Sequence, residues 1–242
     1  MKMTTLHLNS SSKLWAIIPA AGSGQRFSSK HLKQYQEIAG QSVLQHSVAR
    51  LNQLPLAGYV IACAQQDDYL QTLQFAQPTR MHRCVGGQER VQSVYNALMY
   101  LADYAADDDW VLVHDAARPC VHLDNLLELL ATAQQTQHSA ILATPVRDTL
   151  KKAQHQADQI EHTVSREQLW QAQTPQIAQY AVLCRALQRA MADDCLLTDE
   201  ASALEYCQQP VHLVQGRADN IKITYPEDLL LAEMILIQQQ SV

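Results

Sequence analysis

The stretch LWAIIPAAGSGQR, from Leu14 to Arg26, decides the fold expected for this chain. Its first six residues form a short apolar run that is typical of a buried strand, and small residues with two glycines follow directly. Such a loop lets backbone N–H groups wrap around an anion. Glycine is scarce in the chain, with 7 among 242 residues. We therefore predict a strand, Leu14–Pro19, that ends in a phosphate-binding loop, although an ordinary turn between a strand and a helix would look similar.

Outward from this stretch, short apolar runs alternate with amphipathic helical segments, which is the pattern of a sheet with helices on both faces. The predicted fold class is therefore α/β with a mostly parallel central sheet. One domain is the simplest organisation, with a disordered tail over residues 1–13 and the folded part over residues 14–242. Further strands are predicted at Tyr59–Ala64, Trp110–His114, Ala140–Thr144 and Val211–Val214, and helices after Gln41, over Val91–Leu101 and from a Thr224 cap to about Gln238.

Residues 146–173 interrupt this pattern. The segment is polar, lacks strong helical periodicity and carries Lys151, Lys152 and Trp170 among many glutamines and histidines. It is predicted to leave the sheet as an extended arm or hairpin. Two interpretations remain open from these residues: an arm that packs on a second subunit, or an ordinary surface insertion.

The composition argues against several classes of protein. A formal net charge of −6 lacks the excess of Lys and Arg that sequence-independent binding to nucleic acid requires. The six cysteines form no C-x-x-C pair, so neither a zinc site nor a redox motif is indicated. No apolar run approaches the roughly 20 residues that span a bilayer. We expect a cytoplasmic protein with reduced thiols and with neither nucleic-acid nor membrane partners.

Positive charge follows the glycine loop. Arg26, Lys30 and Lys33 can neutralise the charge that builds up on a transferring phosphoryl group and on a pyrophosphate leaving group. A dinucleotide-binding motif of the form G-x-G-x-x-G is disfavoured, because the third glycine position is Phe27. The Walker A pattern is also absent from this loop. A triphosphate is therefore an anion that suits the loop and its cations.

The motif HDAARP, His114–Pro119, comes directly after an apolar strand, at the edge where α/β sheets bind their ligands. A carboxylate there can hold Mg²⁺, which prefers oxygen ligands, so Asp115 is the predicted metal ligand. Arg118 either pairs with that acid or binds an anionic substrate. His114 is expected to be a packed or orienting residue rather than a base.

Gly86 and Gly87 precede the second amphipathic helix, and Ser93 places a hydroxyl within its first turns. By itself this pattern indicates only a loop before the start of a helix. The pattern indicates a function only in combination with the other loop motifs.

Two later positions have both a structural and a functional interpretation. Thr198, followed by two acids, resembles a helix N-cap with acids in the first turn, while contact of Thr198 with a ligand remains open. Lys222 lies between two isoleucines in a predicted short strand. A lysine that points from a strand toward the ligand edge of a sheet indicates a functional cation.

Taken in order, these motifs resemble those of the 2-C-methyl-D-erythritol 4-phosphate cytidylyltransferase family of the non-mevalonate isoprenoid pathway. The resemblance extends over nearly the whole chain, from about Leu14 to Leu236. The first motif alone indicates only a nucleotidyltransferase, whereas the ordered set is highly specific. The set consists of PAAGSGQR (Pro19–Arg26), KQY (Lys33–Tyr35), GGQER (Gly86–Arg90) with Ser93, VHDAARP (Val113–Pro119), PVRDT (Pro145–Thr149), QTPQ (Gln173–Gln176), TDEAS (Thr198–Ser202) and GRADNIK (Gly216–Lys222).

The resemblance implies a Rossmann-like nucleotidyltransferase fold with a protruding β-arm, and a homodimer joined by that arm. It implies transfer of a cytidylyl group from CTP to methylerythritol phosphate, with Mg²⁺ as cofactor and pyrophosphate as the second product. The implied catalytic cations are Arg26, Lys33 and Lys222. The implied CTP-binding residues are Ala20, Ala21, Gly22, Ser23, Gly24, Gly87, Gln88, Ser93, Asp115 and Ala116. The implied substrate-binding residues are Arg118, Thr149, Arg166, Thr174 and Thr198, with Arg166 expected to reach across the dimer.

Two residues depart from the family's usual pattern. Leu32 stands where proline usually precedes Lys-Gln-Tyr, and Gln88 stands where an acidic or small residue is frequent. A contact that the backbone makes to the base would survive the second change.

The sequence leaves other functions as alternatives. A cytidylyltransferase acting on another polyol phosphate, such as ribitol 5-phosphate, is the nearest one. A hydride-transferring dinucleotide enzyme and a non-catalytic nucleotide-binding protein are more distant ones.

Overall fold

The structure is a computed structural model that describes residues 12–22, 32–155 and 158–240. Its strands within these residues are β1 (Leu14–Pro19), β2 (Glu37–Ile38), β3 (Gln41–Ser42), β4 (Gly58–Cys63), β5 (Met81–Val85), β6 (Trp110–Val113), β7 (Ser139–Pro145), β8 (Leu150–Ala153), β9 (Ile160–Val164), β10 (Trp170–Gln179) and β11 (Val211–Gln215).

The helices that alternate with these strands are α1 (Val43–Leu51), α2 (Asp68–Thr72), α3 (Arg90–Leu101), α4 (Leu123–Thr136), α5 (Tyr180–Ala192), α6 (Glu200–Tyr206) and α7 (Asp228–Gln240). Two single-turn 3-10 helices cover Lys33–Tyr35 and Pro78–Arg80. Among the described residues, none of the helices combines the length and apolar character needed to cross a bilayer.

Seven strands form the central sheet, in the spatial order β11-β7-β10-β6-β1-β4-β5. The pairs β1-β4, β1-β6, β4-β5 and β7-β11 are parallel, and β10 runs antiparallel between β6 and β7. The α/β class and the mostly parallel sheet are thus confirmed. From β1 the chain proceeds to β4 on one side and later to β6 on the other. Such a switch point, at the carboxyl ends of the strands, is where open α/β sheets bind ligands.

Helices cover both faces of the sheet, so its central strands are buried. Along β1, Leu14, Ala16 and Ile18 belong to one core while Trp15 and Ile17 belong to the other, because successive side chains of a strand point to opposite faces. The first core is completed by apolar residues of α1 and α4, and the second by those of α3, α5 and α6. The sheet is therefore a rigid base for the loops at its carboxyl edge.

The beginning of the folded part lies earlier than predicted. The backbone N–H of Lys13 donates to Asp109 Oδ1 (2.6 Å), and the indole N–H of Trp15 donates to Asp109 Oδ2 (2.9 Å). The hydroxyl of Ser12 donates to Asp108 Oδ2 (2.8 Å). Residues 12 and 13, predicted as the end of a disordered tail, are therefore attached to the sheet, while residues 1–11 lie outside the described part of the chain.

All five predicted strands are present, each within one residue of its predicted bounds, and the predicted helices correspond to α1, α3 and α7. β5 and β10 were not predicted from the sequence. β5 lies at the edge of the sheet and is only partly buried, so it lacks a continuous apolar run. β10 has the sequence WQAQTPQIAQ, and its proline and four glutamines are not typical of a buried strand.

The predicted cap of the last helix was wrong. α7 begins at Asp228 rather than directly after Thr224. The carboxylate of Asp228 accepts hydrogen bonds from the backbone N–H groups of Thr224 (2.8 Å) and Tyr225 (2.9 Å). Asp228, the first residue of the helix, thus stabilises the turn that precedes it.

The segment predicted as an arm contains β8 and β9, which form a separate two-stranded antiparallel sheet. Its predicted end at residue 173 moves to residue 169, because Trp170 already pairs with Pro145 of β7. Residues 170–173 therefore belong to the central sheet. Both strands of the hairpin are largely exposed.

Candidate active site

Two glycine motifs meet at the carboxyl edge of the sheet. The N–H of Ala20, after β1, donates to the carbonyl of Ala62 in β4 (2.7 Å). Gly86, after β5, packs so closely that an added Cβ would lie 2.5 Å from the Cβ of Ala21 and 2.9 Å from Ser93 Oγ. Position 86 therefore requires glycine, and the loops after β1 and β5 form one surface.

The loop before α3 is held by side chains from the first turn of that helix. The buried hydroxyl of Ser93 accepts a hydrogen bond from the N–H of Gly87 (3.0 Å) and donates to the carbonyl of Glu89 (3.1 Å). Gln92 Oε1 accepts from the N–H of Gln88 (3.0 Å). The side chain of Gln88 is exposed, while Ser93 holds the backbone beside it.

Asp115, directly after β6, gathers three cations. Its Oδ1 accepts from Arg90 Nε (2.9 Å), its Oδ2 accepts from Lys222 Nζ (2.8 Å), and Arg118 Nε lies 3.6 Å from Oδ2. Burial by itself raises the pKa of Asp115, but the charges of Arg90, Lys222 and Arg118 outweigh it and hold that pKa well below its usual range. The carboxylate is therefore ionised at neutral pH and can hold the cations together.

Arg90 and Glu200 belong to the same cluster of charges as Asp115 and were not predicted from the sequence. The Nη1 of Arg90 donates to Glu200 Oε1 (2.6 Å) and its Nη2 to Oε2 (2.9 Å). Glu200 is only 2% exposed, whereas its position at the start of α6 predicts no more than a first-turn acid. Both residues stand inside motifs quoted above, GGQER and TDEAS, which is the signal that could have indicated them. The N-cap of α6 is Asp199, and the predicted cap, Thr198, is exposed.

Lys222 lies on an irregular loop, so its predicted short strand was wrong. The N–H of the neighbouring Ile223, which is buried, donates to the carbonyl of Ala117 (2.9 Å). On the other side of the lysine, the carbonyl of Asn220 accepts from Arg118 Nη1 (2.7 Å). The loop is thus anchored on both sides of Lys222, and its ammonium is held at the end of β6.

His114 and Thr174 form a hydrogen-bonded chain beneath Asp115. The Nε2–H of His114 donates to the carbonyl of Arg118 (2.9 Å), because a carbonyl only accepts. The Nδ1 of His114 therefore accepts from the hydroxyl of Thr174 (3.1 Å), whose oxygen accepts from the N–H of Asp115 (3.0 Å). Burial lowers the pKa of His114 to about 4, so the ring is neutral and orients its neighbours.

Lys33 begins a 3-10 turn that is held from two sides. Gln34 Nε2 donates to the carbonyl of Ala20 in the loop after β1 (2.9 Å). The hydroxyl of Tyr35 donates to Asp67 Oδ2 (2.5 Å), and Asp67 in turn caps α2. These two contacts place the turn beside the glycine loop.

Leu32, the departure before Lys-Gln-Tyr, has φ −70° and ψ 127°. Proline holds φ near −65°, so leucine here keeps a backbone conformation that proline would also adopt. The change therefore leaves the start of the Lys33 turn in the expected geometry.

The remaining predicted residues fall into three groups. Ser23, Gly24 and Arg26 lie outside the described residues. Thr149 and Arg166 are exposed at the base of the arm, where Arg166 Nη1 donates to the carbonyl of Arg147. In the loop after β1, Gly22 is exposed, Ala21 is partly exposed and Ala20 is buried, while Ala116, next to Asp115, is also buried.

Asp115 alone does not make a metal site. Among the described residues, no group of three or more His, Cys, Asp or Glu side chains is arranged to hold a metal ion. Both oxygens of Asp115 face cations, Arg90 at 2.9 Å and Lys222 at 2.8 Å. Mg²⁺ usually keeps several waters and combines one or two carboxylates with substrate phosphates. The residues present therefore fit Mg²⁺ only as one carboxylate ligand beside phosphate oxygens.

Comparison with known proteins agrees with this architecture. The sequence profile of the family described as 2-C-methyl-D-erythritol 4-phosphate cytidylyltransferase matches residues 14–238. A relative of that name from Acinetobacter baumannii (strain SDF) is 58% identical over 233 residues, covering 96% of this chain and 98% of the relative.

Two solved structures share the fold. The crystal structure of a 4-diphosphocytidyl-2C-methyl-D-erythritol synthase has a TM-score of 0.81 at 37% identity, covering 93% of this chain and 99% of its own. The 2-C-methyl-D-erythritol 4-phosphate cytidylyltransferase of Francisella tularensis has a TM-score of 0.79 at 32% identity, covering 93% and 100%. With its motifs, fold and profile match in agreement, the chain belongs to the 2-C-methyl-D-erythritol 4-phosphate cytidylyltransferase family.

Proposed function

We propose that this protein transfers the cytidylyl group of CTP to 2-C-methyl-D-erythritol 4-phosphate, giving 4-diphosphocytidyl-2-C-methyl-D-erythritol and pyrophosphate. The observation that carries this proposal is the position of the Lys222 ammonium. It lies 2.8 Å from Asp115 Oδ2, at the carboxyl edge of the sheet beside the glycine loops. Membership of the family supplies the identity of the two substrates.

The reaction needs alignment more than acid–base catalysis. An oxygen of methylerythritol phosphate attacks the α-phosphorus of CTP, the new phosphorus–oxygen bond forms, and the bond to the β-phosphate oxygen breaks to release pyrophosphate. The attacking phosphate is already ionised at neutral pH, so no general base is required. Two anions that repel each other must be brought into line, and cations held in advance by the protein lower the cost of doing so.

The described residues suit this task. Lys222 is anchored at Asp115 and would stabilise the charge that develops at the α-phosphate. Arg118, whose buried Nε lies 3.6 Å from Asp115 Oδ2, adds a further positive charge beside the proposed phosphate site. Lys33 lies on a turn next to the glycine loop and, with Arg26, is proposed to contact the β- and γ-phosphates.

The glycine loops are proposed to bind the nucleotide through their backbone. Position 86 admits no side chain, and the N–H groups of Gly87 and Gln88 donate to Ser93 Oγ and Gln92 Oε1, which fixes the backbone of this loop. Ala20, Ala21, Gly22, Ser23, Gly24 and Ala116 complete the proposed CTP site. Thr149, Arg166, Thr174 and Thr198 are proposed for the polyol phosphate.

Mg²⁺ is proposed to enter with CTP, with Asp115 as one oxygen ligand. When bound to the phosphates, the ion supplies neutralisation of the charge on the leaving group. The part that this chain plays is to hold Asp115 ionised through Arg90, Lys222 and Arg118.

A homodimer is proposed on the basis of exposed apolar side chains. The arm and the strand after it carry Ile160 (61% exposed), Leu169 and Trp170, and α7 carries Leu230 (66%) and Met234 (62%). Sedimentation of the purified protein at micromolar concentration should give twice the chain mass, and Ile160→Asp should shift the measured mass toward that of the monomer.

A cytoplasmic location is also proposed, since all six cysteines are free thiols.

The activity itself is tested by pyrophosphate release with Mg²⁺, each of the four nucleoside triphosphates, and methylerythritol phosphate as acceptor. Release is expected with CTP and not with the other three. Ribitol 5-phosphate serves as the second acceptor, and mass spectrometry identifies the cytidine diphosphate ester. Faster turnover of ribitol 5-phosphate, or release that needs no acceptor, would contradict the proposed function.

A further inference from the structure

We propose that Arg90 and Glu200 are positioning residues for this reaction, and that they determine which oxygen of Asp115 remains for Lys222. The inference rests on the proposed function, because it assigns a purpose to the placement of Lys222. Neither residue reaches the nucleotide in this role. They act through Asp115.

The geometry of the Arg90 guanidinium carries the inference. Its two terminal nitrogens bind both oxygens of Glu200, at 2.6 and 2.9 Å, and its Nε binds only Oδ1 of Asp115, at 2.9 Å. A guanidinium favours a fork of two parallel N–H donors to one carboxylate, here its two terminal nitrogens to Glu200. Glu200 occupies that fork, so Arg90 approaches Asp115 from one side only.

This arrangement leaves Oδ2 of Asp115 for Lys222, at 2.8 Å. If Glu200 lost its charge, the fork of Arg90 would turn to the remaining carboxylate and would engage both oxygens of Asp115. Lys222 would then compete with Arg90 for Oδ2 of Asp115. Displacement of a reacting group by about 1 Å can cost up to about 10²-fold in rate, so a partial displacement is expected to cost on the order of 10-fold.

Glu200 is itself held firmly by the sheet. It is 2% exposed, at the first residue of α6. Gln176 of β10 accepts from the N–H of Ala201 (2.8 Å) and donates to Asp199 Oδ2 (2.8 Å), which joins the start of α6 to the central sheet. The distance between the sheet and α6 therefore sets the position of Arg90.

The alternative is that the pair only stabilises the fold. A buried ion pair that loses one partner destabilises a protein whether or not it serves catalysis. Thermal stability therefore does not separate the two roles. The coupling between Glu200 and Asp115 in the rate does separate them.

The test is a double-mutant cycle with Glu200→Gln, Asp115→Asn and the double variant, measured well below the melting temperature of each. Glu200→Gln is expected to lower kcat about 10-fold with less than a 3-fold change in KM for CTP. In the Asp115→Asn background it should change kcat less than 2-fold. Glu200→Asp, which keeps the charge, should recover part of the rate. Asp124→Asn, at an exposed acid in the first turn of α4, is the matched control and should behave as wild type.

Two outcomes would overturn the inference: a normal kcat for Glu200→Gln, or an equal loss in the presence and absence of Asp115. If Glu200→Gln does not fold, Arg90→Lys replaces it, since lysine keeps the charge but lacks the fork. A crystal structure of Glu200→Gln gives a readout that needs no activity, because Arg90 is expected to bind both oxygens of Asp115 in that variant. Unchanged contacts there would refute the positioning role, whereas an inactive wild type would refute only the proposed function.

Discussion

Replacement of Lys222 by methionine tests the proposed catalytic cation most directly. The substitution keeps most of the side-chain volume and removes the ammonium that lies 2.8 Å from Asp115 Oδ2. Asp115 would keep Arg90 at 2.9 Å and Arg118 at 3.6 Å, so the buried carboxylate is not left without a partner. The side chain of Lys222 is 36% exposed, whereas that of Asp115 is 8% exposed, so loss of the ammonium should lower stability while Arg90 and Arg118 keep the buried carboxylate paired. The fold should therefore persist.

The rate should respond very differently. One preorganised donor at a developing negative charge is worth on the order of 10²–10³ in kcat, or about 3–4 kcal/mol. Pyrophosphate release at saturating CTP and methylerythritol phosphate measures kcat, and thermal unfolding of the same sample measures stability. Lys13→Met is the matched control, since Lys13 lies just before the amino end of β1, at the opposite edge of the sheet. A kcat within about 3-fold of wild type, with the fold intact, would refute the role of Lys222.

Three further predictions concern the surroundings of the site. Because burial lowers the pKa of His114 from 6.5 to about 4, the unfolded chain binds a proton that the folded protein excludes, and stability falls by up to about 3 kcal/mol as pH drops from about 6.5 to 4. Urea unfolding across this range should show a shallower pH dependence for His114→Gln, and identical curves would contradict the assignment. In Gly86→Ala the added Cβ would lie 2.5 Å from the Cβ of Ala21. This variant should raise KM for CTP on the order of 10-fold and lower the free energy of unfolding by about 1–3 kcal/mol. A normal KM would mean that the two loops adapt to the added methyl group. Tyr35→Phe removes the hydrogen bond to Asp67 and should lower kcat/KM several-fold through the Lys33 turn, and an unchanged kcat/KM would show that Gln34 alone holds that turn.

Four of the five strands that local composition predicts are buried on both faces, and the fifth, β11, is an edge strand. β1, β4, β6 and β7 are continuous apolar runs because each lies between two layers of helices. β10 escapes such a prediction, although it lies between β6 and β7. The pairing of β10 with β7 shifts register between Ala172 and Gln176. The polar side chains of β10 make tertiary hydrogen bonds, and the sequence pattern does not reveal these contacts.

The same division applies to the candidate site. Asp115, Lys222 and the glycine loops were predicted from motifs, because each follows a strand or stands in a short conspicuous pattern. The structure adds how they are held, as in the anchoring of the Lys222 loop by Arg118 and Ala117.

Local sequence alone therefore established the α/β alternation, the buried strands and the loops that carry glycine and charge, since these depend on hydrophobic periodicity and on backbone freedom within a few residues. The tertiary fold alone established the partners of each charge. Arg90 and Glu200 are 110 residues apart in the chain, and they meet only because α3 and α6 pack on the same face of the sheet. A carboxylate in a helix's first turn looks the same in sequence whether it faces solvent or is buried against a guanidinium, and only packing distinguishes the two.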